Sequence, residues 1–284
     1  MTGGDMAAGS CTAECDPVAY DHSRPAMARL WVRWGGGKDY NPADKALGDK
    51  VKAHFPQVTS IARQRLAFRS RVVRALAGGH GIDQFLVAGV DMPQIDEVHA
   101  VAQSINPRAR VVYCDADVLV MTYAEAMFAG ESPGACGFVR AGLDDPGAML
   151  EGAAETLDLD RPVAVLLINS LDLLPEPQAV AALAAFRAIL AAGSYVAFCH
   201  LTAEHDRGLA ALGDVCADTS PGPPRVRDLA SLERLCAGMV MVPPGLVSAP
   251  AWRPDPGPWP VPTDVDLRCG VGEVCGQQRR RRAL

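Results

Sequence analysis

The sequence is poor in the features that mark metal-binding, disulfide-bonded and membrane proteins. Its nine cysteines are scattered over 284 residues without a pair of CxxC motifs, which argues against a structural zinc site. The six histidines form no ligand set with cysteines or carboxylates, so we expect no metal. The longest apolar stretch, 179–199, is interrupted by Arg187 and Gly193. That pattern is typical of a helix followed by a strand rather than of a membrane span.

Basic charge and phosphate-binding motifs are also scarce. The formal net charge of −6 argues against nucleic acid as the main partner, because phosphate binding needs a basic surface. A GxxxxGK[ST] phosphate loop is absent. Residues 1–16 have no apolar segment and predict no signal peptide, so a reducing cytoplasm fits the cysteine usage best. The local exception, Arg279–Arg282, has the composition of a solvated tail.

The sequence does have a regular alternation of strand-like and helix-like segments between residues 84 and 201. Hydrophobic residues make up 49% of the chain and charged residues 21%, which suits one large α/β domain or two small ones. The alternation predicts βαβ units and a parallel, doubly wound sheet with helices on both faces. The predicted strands are 84–88, 110–114, 136–141, 163–168 and 194–201, and the helices between them are 93–104, 119–128, 146–154 and 178–190.

The ends of the chain differ from this central region. The run RPDPGPWPVP at 253–262 fits neither a helix nor a central strand, because proline lacks the amide hydrogen that both need. We expect the last strands at 239–242 and 247–252. The predicted division is a flexible tail at 1–20, a helical entrance or lid segment at 21–80, the α/β domain at 81–254, and a Pro-rich and Arg-rich tail at 255–284.

Four turns are the candidate ligand site, because open parallel sheets bind ligands outside the carboxyl ends of their strands. Asp115 is the clearest single residue, since an acid at the end of the second strand accepts hydrogen bonds from both hydroxyls of a ribose. Its alternative role is to cap the helix that begins near Val118, for which Asp117 is equally suited. The four turns are 89–93, 115–117, 142–146 and 169–172.

Six stretches, in order, resemble a family of actinobacterial S-adenosylmethionine-dependent methyltransferases that long carried only a domain-of-unknown-function label. The resemblance covers residues 21–254. The stretches are SRPAMAR…GGGKDYNPAD, GIDQFL…MPQIDEVHAVAQ, ARVVYCDAD, RPVAVLLINSLDLLPE, GSYVAFCHLT and MVPPGLVSAPAWRP.

This resemblance implies a Rossmann-like, seven-stranded methyltransferase sheet in three α/β/α layers. S-adenosylmethionine would lie across the ends of the first two strands, and the acceptor would be a small molecule, with secondary metabolism as the expected setting. The residues expected to bind the cofactor are Lys38, Asp39, Gly89, Asp91, His99, Asp115, Ala116, Asp145 and Asn169.

The departures from the family pattern fall at the cofactor site. The positions are Val87 for an acid of the first strand, Asp91 for a glycine, Gly142 for the acid near the adenine, Asp144 for an arginine and Asp172 for a histidine. A side chain at position 91 would crowd a backbone that approaches the ligand, and its charge would face the carboxylate of the methionine moiety. We therefore expect cofactor affinity to be weakened on the order of a hundredfold.

Three residues are candidates for catalysis. Arg33 lies in WVRWGGGKD, where tryptophans beside a glycine turn and a lysine suit either a lid over a flat or anionic ligand or a turn that packs the tryptophans on the core. Asp172 is expected beside the substrate, where its carboxylate would orient or deprotonate an amine or hydroxyl. His200 is a candidate general base at the edge of the sheet.

Three functions remain open at this point. The first is methyl transfer from S-adenosylmethionine to a small molecule. The second is an enzyme that kept the fold but lost methyl transfer, such as a cyclase, an isomerase or a lyase. The third is a non-catalytic protein that uses the pocket to bind a ligand.

Overall fold

The computed structural model describes residues 21, 23–94, 96–128, 134–256 and 264–275. The predicted tail at 1–20 and the arginine run at 279–282 lie outside these residues. In the described part of the chain, no helix is both long and apolar enough to cross a membrane.

The centre of the protein is one mixed sheet. In the described residues it has eight strands, in the order β3-β2-β1-β4-β5-β8-β6, with β7 paired to β8. Strands β1 to β5 run parallel, whereas β8 is antiparallel to β5, β6 and β7. The strands are β1 Gln84–Ala88, β2 Arg110–Cys114, β3 Cys136–Val139, β4 Ala164–Ile168, β5 Tyr195–Leu201, β6 Met239–Met241, β7 Val247–Ser248 and β8 Leu267–Val274.

Helices cover both faces of this sheet. Side chains alternate along β1, so that Phe85 and Val87 join one apolar cluster while Leu86 and Ala88 join the other. The first cluster includes residues of α1, α3, α4 and α5, and the second includes residues of α6, α7 and α9, which confirms the predicted three-layer α/β/α fold. The helices are α1 Met27–Gly35, α2 Pro42–His54, α3 Val58–Arg74, α4 Val98–Ile105, α5 Val118–Phe128, α6 Pro146–Ala153, α7 Glu176–Ile189, α8 Leu212–Val215 and α9 Leu229–Cys236.

The predicted C-terminal tail is wrong in one part, because it contains β8. This strand pairs with β5 over seven positions and is almost wholly buried, so the sheet does not end at residue 254. Two glycines weaken the strand pattern of LRCGVGEV, yet the packing requires them. A Cβ atom on Gly270 would lie 2.7 Å from Met241 Cε, and one on Gly272 would lie 2.7 Å from Met239 Cβ.

Candidate functional site

A cavity of about 800 Å³ lies at the carboxyl ends of β1, β2 and β4. This volume is in the range of small-molecule and cofactor sites. The turns after these strands contribute Gly89, Asp115–Asp117 and Ser170 to its wall. It therefore lies where parallel strands of an open sheet bind ligands, as the sequence predicts.

The turn after β1 is tight at Gly89. Its φ of 91° is a conformation that side chains rarely adopt, and a Cβ atom there would lie 2.5 Å from Ser170 Cβ. Ser170 lines the cavity, and its buried Oγ atom has no hydrogen-bond partner among the described residues. A buried hydroxyl without a partner costs free energy, so this one is available to a ligand. Sequence reasoning missed Ser170, which has no side-chain signal beyond its place after β4.

Asp115 follows β2 and supports the turn after β1. Its Oδ2 atom accepts a hydrogen bond from Val90 N at 2.7 Å, and its Oδ1 atom accepts one from Asp117 N at 2.8 Å. Burial raises the pKa of Asp115 to about 6. Each carboxylate oxygen has two lone pairs, so both oxygens retain one acceptor site for a ligand. Asp117, in turn, caps α5 by accepting hydrogen bonds from Leu119 N and Val120 N.

The turn after β3 carries an acid two residues later than expected. A Cβ atom built on Gly142 would overlap Oδ1 of Asp144, so this carboxylate fills the space that a side chain at 142 would take. Gly142, Leu143 and Asp144 all line the cavity. Asp145 instead caps α6, where its Oδ1 accepts a hydrogen bond from Ala148 N at 3.0 Å, and it is outside the described lining.

The opposite wall joins two segments that are far apart in sequence. Met27 N donates to Ser220 O and Ser220 N donates to Pro25 O, both at 2.9 Å. Arg24 adds two hydrogen bonds, from its guanidinium to the backbone oxygens of Asp218 and Thr219. We call this pairing of residues 24–27 with 218–220 the clasp. Residues 24, 26, 220 and 221 line the cavity. The start of the predicted entrance segment therefore does face the site.

Asp91 does not face the site in the way that we expected. Its Oδ2 atom lies 2.5 Å from Nη1 of Arg65 on α3, and Asp91 is outside the described lining of the cavity. In this conformation the carboxylate that was expected to face the ligand is paired with a buried cation instead. No local sequence pattern predicts the pair, because its members are 26 positions apart and belong to different elements.

Asp172 and His200 are buried in a structural network rather than placed at the cavity. His200 Nδ1 contacts its acceptor, Leu201 O, at 2.9 Å, and must therefore carry the proton. Nε2 contacts the Arg227 guanidinium. Asp172 Oδ1 lies 3.0 Å from the same Nε2 and balances the charge of Arg227. Neither side chain is more than 1% exposed and neither is in the described lining of the cavity, so the predicted catalytic roles of both stay predictions that this geometry does not support.

Asn169 belongs to the same network. Its Nδ2 atom donates to Asp172 Oδ2 at 2.7 Å, and its Oδ1 atom accepts a hydrogen bond from Cys199 Sγ at 3.0 Å. Its φ is 58°, in the left-handed region that asparagine tolerates. These bonds fix the turn that presents Ser170 to the cavity, while Asn169 itself is outside the described lining.

His99 is on α4, where it contacts Tyr113 of β2. Its Nδ1 atom lies 2.8 Å from the hydroxyl of Tyr113, and its ring packs 4.9 Å from that of Phe128. Burial, aided by the charge of Arg69, lowers the pKa of His99. It therefore contributes a neutral ring to the core and is outside the described lining.

Arg33, Lys38 and Asp39 also lie away from the cavity in the described structure. Arg33 pairs with Asp49, and its guanidinium lies 4.8 Å from the ring centre of Tyr40. Lys38 and Asp39 are exposed in the turn after α1. Both tryptophans of this stretch are buried, with ring centres 5.0 Å apart. Of the two roles open to it, the stretch has the structural one, a turn that packs its tryptophans on the core.

The fold and the cavity define a class of protein: a Rossmann-like domain with a cofactor-sized pocket at the ends of its first strands. A profile of the S-adenosyl methyltransferase family matches residues 14–275, and the chain therefore belongs to that family.

Two solved structures resemble the chain over nearly their whole length. A DUF574 family protein from Streptomyces avermitilis is 32% identical, with a TM-score of 0.82, and the match covers 89% of this chain and 98% of that one. A candidate methyltransferase from Thermobifida fusca is 31% identical, with a TM-score of 0.83, and the match covers 93% and 100%. The search of curated proteins gave no match.

Proposed function

We propose that this protein transfers the methyl group of S-adenosylmethionine to a small molecule. The main support for this proposal is the cavity, whose wall includes the Gly89 turn, Asp115 and the start of the entrance segment. A site of this kind holds two ligands next to each other. Catalysis of methyl transfer depends mainly on the alignment of donor and acceptor, so a dedicated acid or base is not required.

The described residues fit the cofactor. Asp115 would accept hydrogen bonds from the ribose hydroxyls with its remaining lone pairs. Asp144 would replace the acid missing at 142 and accept from the adenine amino group, beside the apolar side chain of Leu143. The backbone at Gly89 and the hydroxyl of Ser170 would hold the amino acid part. When bound, the cofactor supplies an electrophilic methyl group, and its loss leaves S-adenosylhomocysteine.

The acceptor would bind between the cofactor and the clasp formed by residues 24–27 and 218–220. Arg24 and Arg29 give this wall positive charge, although Asp44 pairs with Arg29 at 2.6 Å. We propose a small metabolite of secondary metabolism as the acceptor and the cytoplasm as the location. The cysteines within the described residues are free thiols, which supports a reducing compartment. The net negative charge supports a partner other than nucleic acid.

Calorimetric titration tests the proposal directly. The wild-type protein is expected to bind S-adenosylhomocysteine with micromolar affinity at one site. Asp115→Ala is expected to weaken binding by at least about tenfold, because hydrogen bonds to a charged group contribute about 1.5–3 kcal/mol. The control is Asp83→Ala, whose carboxylate pairs with Arg161 at the opposite end of β1 and should leave affinity unchanged.

A second observable is the production of S-adenosylhomocysteine from S-adenosylmethionine in the presence of candidate acceptors. If the wild-type protein binds neither cofactor form up to millimolar concentration, the methyltransferase proposal is wrong. Turnover without a methyl donor would then favour an enzyme that kept only the fold.

The affinity should also depend on pH in a defined direction. Because burial raises the pKa of Asp115 to about 6, its carboxyl is protonated in the free protein at lower pH. Ribose hydroxyls favour the ionised form, so ligand binding below about pH 6 must release this proton. Affinity is therefore expected to rise between about pH 5 and pH 7 and to be constant above that range. Asp115→Asn should bind more weakly and lose this pH dependence, and a slope that survives the substitution would assign the titration to another group.

A further inference from the structure

We propose that Arg65 is a positioning residue that holds the Asp91 carboxylate out of the cofactor part of the cavity. This inference rests on the proposed function, since it concerns the binding of a ligand that carries a carboxylate. It explains how a chain with an acid in its first cofactor turn can retain the site.

The geometry of Arg65 is unusual for an arginine. Its side chain is only 1% exposed, and its guanidinium lies 4.7 Å from the centre of the Trp31 ring. Nη1 lies 2.5 Å from Asp91 Oδ2 as an ion pair, and none of the three guanidinium nitrogens has a hydrogen-bond partner of good geometry among the described residues. A buried cation needs a compensating charge, so Asp91 is held strongly.

Asp91 is close enough to the cavity to matter. It follows the cavity-lining Gly89 by two residues, so their Cα atoms are at most about 7.6 Å apart. Its side chain remains 16% exposed, and its charge already contributes to the raised pKa of Asp115. A small rotation without Arg65 would therefore bring a second carboxylate to the ligand. Like charges in a partly buried site repel strongly.

Arg65 brings Trp31 and Asp91 together in the helical layer. The resemblance places a glycine at position 91, where this chain has an acid. The tryptophan ring supports one face of the guanidinium, and the acid pairs with its Nη1 atom. The acid at 91 thus has a cationic partner that is outside the described lining of the cavity.

The test is a double-mutant cycle read by calorimetric titration with S-adenosylhomocysteine at pH 7.5. The variants are Arg65→Met, Asp91→Asn and the double variant. Arg65→Met should weaken affinity by about tenfold or more, because the unpaired carboxylate turns toward the ligand. Asp91→Asn should leave affinity within about twofold of wild type, and the double variant should restore it to that level.

Arg69→Met is the matched control. Arg69 lies one helical turn along α3, is nearly as buried, and pairs with Glu97 at 3.1 Å. Its removal should lower the thermal unfolding midpoint without a comparable loss of affinity. Arg65→Lys, which keeps the charge, should rescue most of the affinity that Arg65→Met loses.

Each outcome separates this inference from the function on which it rests. If the wild-type protein does not bind, both are overturned. If it binds but the double variant is about tenfold weaker than Asp91→Asn, Arg65 acts independently of the charge at 91 and the inference alone is wrong. This comparison stands even if Arg65→Met fails to fold. A gain of about tenfold in Asp91→Asn would also overturn it, because Asp91 would then already oppose the ligand.

Discussion

Asp172→Ala is expected to lower the free energy of unfolding by about 3–5 kcal/mol, because it removes one partner of a buried charge pair. The alanine would remove the negative charge that His200 contacts and that acts on Arg227, and would leave the Asn169 amide without its acceptor at 2.7 Å. The folded fraction should still bind S-adenosylhomocysteine, with a loss well below the hundredfold expected for Gly89→Ala, because Asp172 supports the Ser170 turn only through Asn169 and is outside the described lining of the cavity. Urea denaturation and calorimetric titration measure the two quantities separately.

This prediction has two controls: one changes only the charge at position 172, and the other removes a carboxylate elsewhere in the protein. Asp172→Asn keeps an oxygen that accepts from Asn169 and should lose less stability than alanine. Asp228→Ala removes an exposed carboxylate that caps α9 by accepting from Ser231 N at 2.8 Å, and should cost much less stability. If Asp172→Ala is as stable as wild type yet loses methyl transfer, Asp172 is a catalytic residue after all.

The central strands could be predicted from the sequence because their signal is local. Predictions for β1 and β2 match the structure residue for residue, since both are apolar runs bounded by turns or charges. The signal of β8 is not local. Its glycines lower the strand propensity, and its burial follows from pairing with β5, β6 and β7, which are distant in sequence.

The residues of the candidate site also divide into those that a local sequence pattern predicts and those that it does not. Gly89, Asp115 and Ala116 could be placed because they directly follow predicted parallel strands, and all three line the cavity. Asp172 and His200 have equally suggestive positions in sequence. Both are buried against Arg227, which lies in a later segment of the chain. The sequence of a single turn therefore cannot indicate their burial. The same limit concealed the pairing of Asp91 with Arg65.

Asp144 and Ser170 occupy positions that the sequence pattern alone does not single out. The acid that the family pattern places at 142 is missing from the sequence, and alignment alone predicts a lost contact. In the structure, the carboxylate of Asp144 fills the space beside Gly142. The tight approach of Ser170 to Gly89 likewise depends on the fold of two separate turns. These contacts follow from three-dimensional packing, which a single sequence does not display.

Gly89→Ala is expected to weaken the binding of S-adenosylhomocysteine by about a hundredfold. The added Cβ would lie 2.5 Å from Ser170 Cβ, so one of the two turns must move. The φ of 91° adds strain of about 1–2 kcal/mol for any residue other than glycine. Movement here displaces both the Gly89 backbone and the unpartnered Ser170 hydroxyl from the cavity wall. Calorimetric titration of the folded variant measures the loss.

Gly245→Ala is the matched control for the backbone strain. Its φ is 88°, close to that of Gly89, but no heavy atom lies within 4 Å of the added Cβ. Both variants should therefore lose similar stability from the left-handed conformation, while only Gly89→Ala has the additional overlap at the cavity. If both variants keep wild-type affinity, the Gly89 turn does not hold the cofactor. If both lose affinity equally, the loss reflects general destabilisation, and the contact between Gly89 and Ser170 has no special role in binding.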